Sequence, residues 1–148
     1  MKPFFVLLIA FCVSFFAIIL ISHKYDFALS ARIAMSVMLL FTAIAHFTFT
    51  KGMTLMIPGF IPFKLFLVYL TGLIEIAAGI GLLIPGLMVW SGWLLIGFFI
   101  LMLPANINAA IKHIDFQKGT FDGNGPNYLW FRIPLQVLLI VWTYFSIK

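Results

Sequence analysis

Apolar residues along this chain come in long blocks separated by short polar stretches. Five blocks fall at 3–22, 30–50, 64–85, 88–110 and 128–147. An α-helix rises ~1.5 Å per residue, so about twenty apolar residues cross a hydrocarbon layer of ~30 Å. Each block therefore predicts a spanning helix. The first follows Met1-Lys2 as a signal peptide would. Its apolar core runs past the usual ~7–15 residues and no small-x-small cleavage site follows, so it reads as a retained helix.

The connections differ in character. HKYDFALS is short and polar, and PGL is a tight turn. KGMTLMIPGFIPFK is amphipathic with two prolines, which predicts a segment lying at a membrane interface. KHIDFQKGTFDGNGPN holds several charges, and its DGNGP reads as turns. The D-G-N-G order resembles a calcium loop. The glycine is misplaced and Ile133 stands where the closing glutamate belongs, so plain turns are the better reading.

Composition turns this pattern into a class. The chain is 64% hydrophobic and 9% charged, against roughly 25% charged in a soluble domain. Its mean hydropathy is +1.19. Such a sequence cannot cover a water-facing surface, and it predicts a multi-pass protein of a bacterial-type inner membrane. At 148 residues one folding unit is the natural expectation. The net charge of +5 does not imply nucleic acid as a partner, because the nine Lys and Arg are scattered between apolar runs as membrane-edge anchors. With five spans, Lys2, Lys51, Lys64, Lys112 and Lys118 share one side, and Lys24, Arg32 and Lys148 the other. Positive-inside counting then places the N-terminus in the cytoplasm. The single cysteine, Cys12, excludes an intrachain disulfide, a CxxC pair and a four-thiolate metal site.

Against this background one residue stands out. Glu75 is the only glutamate, set in TGLIEIAAGIG in the third block. Eleven residues beyond Lys64, it lies about 16 Å deep, near a bilayer midplane. Tyr69, Gly72 and Gly79 fall on its face within a 120° arc at ~100° per residue, and the glycines admit a close neighbouring helix. An ionised carboxylate at that depth costs on the order of 3 kcal/mol by insertion scales. Pairing with Arg132 or protonated His46, or staying protonated, lowers that cost.

Other polar groups point the same way. Arg32, Ser36, His46 and Thr50 share a face of the second block. Pro104 precedes Asn106 and Asn108 near the end of the fourth, and Arg132 and Gln136 are four apart in the fifth. By topology His46, Asn106 and Arg132 enter from the cytoplasmic side, one to two turns deep, with Glu75 beneath them. The expectation is a half-membrane pocket built from Glu75, His46, Arg132, Asn106, Gln136, Tyr69 and Arg32, although Arg32 belongs to the opposite edge. Each has a plainer reading: Glu75 and Arg132 as an interhelical pair, His46 satisfied by a backbone carbonyl, Asn106 bonding groups freed by Pro104, Arg32 as a headgroup anchor, and Tyr69 and Trp130 as belt aromatics.

ARIAMSVMLLFTAIAHF, MIPGFIP, VYLTGLIEIAAGIGLLIP, LPANINAAI and LWFRIPLQVLLIVW, in that order, resemble the DoxX-like family of small membrane proteins. The resemblance implies an all-α fold: a membrane helical bundle with a four-helix DoxX-like core over 29–148, preceded by one extra N-terminal transmembrane helix and its connection over 1–28. The motif positions it carries over are Arg32, His46, Glu75, Asn106 and Arg132. It also implies an association with quinone-linked oxidoreductases or with membrane-protein assembly.

Three functions follow as expectations. The first is a membrane protein whose pocket binds a quinone-like or lipid small molecule as an accessory of redox metabolism, with Glu75 and His46 bonding the ring oxygens or moving protons. It carries no redox centre or metal of its own, and whether it is an enzyme stays open. The second is a non-catalytic interaction or assembly protein with a structural polar cluster, its partners membrane lipid, another membrane protein or a second copy of the chain. The third is a small proton-coupled transporter.

Overall fold

A computed structural model describes residues 2–148. Six helices carry the chain: α1 (Lys2–Ser22), α2 (Phe27–Thr48), the short α3 (Thr50–Met56), α4 (Lys64–Leu83), α5 (Met88–Ile111) and α6 (Leu129–Ser146). A 3-10 turn over Gly125–Tyr128 leads into α6. Among the described residues the only strand-like pairing is a single bridge between Asp115 and Thr120. The protein is therefore all-helical, and five of its helices are long and apolar enough to span a membrane.

The helices start and stop for local reasons. Asp26 caps α2, its Oδ1 accepting from the Leu29 amide at 2.8 Å, which satisfies one of the first-turn donors that a helix leaves free. At the far end of α5, His113 takes a left-handed conformation with φ 52°. Its amide donates to the Ala110 carbonyl at 3.2 Å and that of Ile114 to Ala109 at 2.8 Å. This is the Schellman arrangement, with histidine in the position that glycine usually takes. The amphipathic segment after α2 is half helix. Its first part forms α3, and Ile57 to Phe63 then runs without regular structure to α4, leaving Phe60 and Phe63 exposed.

Helices α2, α4, α5 and α6 close into a ring in that order, each against the next, with α6 returning to α2. Met38, Leu39, Leu82, Leu95, Phe99 and Leu139 fill the space between them. α1 packs outside the ring on α2, and Leu7 is fully buried there. Ser14 donates to the Ser30 carbonyl at 3.2 Å, and Phe11 meets Trp142 of α6 edge-on, ring centroids 5.2 Å apart. The outward faces stay apolar, with Ile44, Leu94, Leu101 and Val141 all exposed. The end of α2, the start of α4, the end of α5 and the start of α6 all lie at one end of the bundle, as the chain order of neighbouring helices requires.

Candidate functional site

The polar side chains at that end form two hydrogen-bonded groups. The first joins α2 to α4. Gly72 lets the helices touch, since a Cβ there would come within 2.9 Å of His46 Cβ. Farther along, the Ser36 hydroxyl donates to the Gly79 carbonyl at 2.7 Å. Between these contacts Glu75 is 8% exposed. Its Oε2 accepts from the Thr42 hydroxyl at 2.9 Å, and its Oε1 lies 3.6 Å from His46 Nε2. His46 Nδ1 is 3.0 Å from the Val68 carbonyl oxygen and 3.1 Å from Thr71 Oγ1. The Thr71 hydroxyl has its own acceptors in the Leu67 and Val68 carbonyls, each at 2.9 Å.

The chemistry of these partners assigns the protons. A carbonyl oxygen only accepts, so Nδ1 carries hydrogen and faces Val68 as a donor. Nε2 faces the carboxyl at 3.6 Å, beyond hydrogen-bond length, so the two side chains are neighbours without a hydrogen bond between them. The Thr42 hydroxyl and the imidazole give the carboxyl polar neighbours in an otherwise apolar helix.

The second group joins α5 to α6. Arg132 Nε donates to Asn106 Oδ1 at 3.1 Å, Asn106 Nδ2 donates to Gln136 Oε1 at 3.3 Å, and Gln136 Nε2 donates to the Phe99 carbonyl. The carbonyl that Pro104 leaves without its amide is that of Ile100, one residue further on, so neither Gln136 nor Asn106 bonds the freed group among the described residues. The guanidinium lies over the Tyr128 ring, 5.6 Å from its centroid. Its terminal nitrogens donate to no side chain or carbonyl among the described residues.

Of the residues singled out in the sequence, Glu75 and His46 are brought together, as are Arg132, Asn106 and Gln136. No hydrogen bond or ion pair links the two groups among the described residues, and Glu75 pairs with His46 rather than Arg132. Tyr69 is 40% exposed and stacks on Phe47 with centroids 5.7 Å apart. It sits at the rim of the Glu75 face and outside the polar cluster. Arg32 lies at the opposite end, its Nη1 donating to the Ser146 carbonyl at 3.1 Å and set 3.3 Å from Met88 Sδ. It ties the end of α6 to α2. The two partners that sequence reasoning passed over are Thr42 and Thr71. Their signal was present: Thr42 stands four residues before His46 and Thr71 four before Glu75, so each helix presents a hydroxyl beside its ionisable group.

Residues 35–146 match a family described as a domain of unknown function (DUF8561), and the chain belongs to that family. The matched segment begins within α2 and runs to the end of α6, so α1 lies outside it. No curated protein and no solved structure matches the chain.

Proposed function

We propose that this member of the DUF8561 family is a multi-pass membrane protein whose four-helix ring holds the polar head of an amphiphile, quinone-like or lipid, at one end. Five helices of spanning length and an apolar outer surface support the membrane setting. On this reading the ring of α2, α4, α5 and α6 is the four-helix core that the DoxX-like resemblance implies, and α1 is the extra helix outside it. The lysine-rich end is the cytoplasmic one on this reading, in a bacterial-type inner membrane.

The observation that carries the proposal is Arg132. Its Nε is fixed by Asn106 and its guanidinium lies over Tyr128, while its terminal nitrogens have no hydrogen-bond partner among the described residues, so a half-buried donor ends the hydrogen-bond chain. Such a group suits a ligand rich in acceptors. Glu75 and His46 then serve next to the ligand, locking α2 to α4, instead of bonding its ring oxygens. An accessory role in redox metabolism rests on the resemblance alone.

Native mass spectrometry of the protein in mild detergent, beside Arg132→Gln, tests this reading. A stoichiometric amphiphile on the wild type, lost in a variant of unchanged thermal stability, is the expected result. A ligand-free wild type would favour the second reading, a non-catalytic assembly protein. One observation supports that alternative: every buried polar side-chain atom among the described residues already has a partner inside the protein.

A further inference from the structure

The chain of hydrogen bonds behind Arg132 has a direction. Each link donates away from the guanidinium: Arg132 to Asn106, Asn106 to Gln136, and Gln136 to the Phe99 carbonyl. Reversing any amide would set two donors or two acceptors face to face, so the orientation is fixed and the links polarise one another. Each side-chain carbonyl in the group already accepts one hydrogen bond. What remains without a hydrogen-bond partner among the described residues is the guanidinium edge with its four terminal N–H bonds, which can only donate.

The charge is equally one-sided. No carboxylate among the described residues pairs with Arg132. Glu75 lies against Thr42 and His46 on the α2–α4 seam and forms no ion pair with Arg132. Arg132 stands in the first turn of α6, where the helix dipole disfavours a cation. Lys51, Lys64 and Lys112 add potential of the same sign from the ends and loops around it, while Lys118 is paired with Asp115 and Asp122 of its own loop. A half-buried cation in such surroundings is short of one negative charge.

We propose that the Arg132 edge binds an anionic phosphate group, carried on a phospholipid head or free in solution, rather than an uncharged quinone ring. The inference rests on the amphiphile reading above and adds the chemical class of the head. A phosphate offers acceptor oxygens to the two-pronged guanidinium and brings the missing charge with it. A quinone carbonyl offers the first and not the second. A zwitterionic head brings an ammonium that the surrounding lysines repel.

The test uses the full chain, delipidated in mild detergent. It is titrated with phosphatidylglycerol, phosphatidylcholine, a short-chain quinone and inorganic phosphate, and binding is read by native mass spectrometry and competition. Expected is a preference of roughly tenfold or more for phosphatidylglycerol over phosphatidylcholine, whose ammonium cancels the charge that its phosphate would bring to Arg132. Arg132→Gln should lose that preference. Asn106→Asp should reduce it also, by supplying the counter-ion from within. It keeps the Arg132 contact and so decides the matter should Arg132→Gln fail to fold. Displacement of the lipid by millimolar inorganic phosphate would identify phosphate itself as the ligand, and resistance to it the lipid-borne group.

Equal binding of the two lipids, or an Asn106→Asp protein that keeps wild-type preference, would overturn the inference. Quinone bound by the wild type and lost in Arg132→Gln would overturn it while leaving the amphiphile reading intact. No binding of any probe would overturn both.

Discussion

At the scale of single residues, the structure sets a lone glutamate beside a threonine and a histidine. Glu75→Gln retains the shape, its amide nitrogen facing His46 Nε2 and its oxygen accepting from Thr42. The expected loss is below about 1 kcal/mol, the net worth of an ordinary hydrogen bond. Glu75→Ala instead leaves the Thr42 hydroxyl and His46 Nε2 beside a cavity, at about 2–4 kcal/mol. Thermal unfolding in detergent separates the two, and equal melting temperatures would contradict the contacts of Glu75 with Thr42 and His46. A double-mutant cycle with His46→Ala should show coupling of about 1–3 kcal/mol, because neither group has another ionisable partner among the described residues. Glu75 was legible in the sequence because a carboxyl in an oily block is conspicuous. Its choice of His46 over Arg132 was not, since depth and face give each side chain a direction without saying which helices are neighbours.

Between elements, glycine decides how close two helices come, and the α2–α4 seam holds two glycines of different consequence. A Cβ at Gly72 would press on His46 Cβ at 2.9 Å and on Phe47, whereas one at Gly79 meets its nearest atom, the Ser36 carbonyl oxygen, at 3.5 Å. Gly72→Ala should therefore cost about 1–3 kcal/mol through overpacking and shift His46 from Glu75. Gly79→Ala should be neutral or gain up to about 1 kcal/mol from helix propensity. Matching effects at both positions would contradict the seam described here. At the end of α5 the left-handed His113 predicts that His113→Gly changes stability little or raises it by less than about 1 kcal/mol, as read by the same melts. The five long helices were legible as apolar blocks within a few residues. The break between α2 and α3 was not. Phe49 and Thr50 carry no Gly or Pro signal, and the turn is set by tertiary contact. Gly52 lies so close to the Phe116 backbone that a Cβ would overlap it.

Across the whole molecule, charge is divided between the two ends. Lys2, Lys51, Lys64, Lys112, Lys118 and Arg132 lie at or near one end, and Lys24, Arg32 and Lys148 at the other. Arg32 is less free than the sequence suggests, being bound to the Ser146 carbonyl at the end of α6, where the helix dipole favours a cation. Lys148 rests 5.2 Å from the centre of the Tyr144 ring. At the Arg132 end Lys118 is held by Asp115 and Asp122, while Lys51, Lys64, Lys112 and Arg132 have no ion pair among the described residues; that end should face the cytoplasm. Orientation therefore decides which leaflet a phosphate site at Arg132 would draw on. In a Cys12→Ser background, Lys24→Cys should react with an impermeant maleimide on intact cells, and Lys118→Cys only after the membrane is opened. The reverse labelling would place Arg132 at the outer leaflet.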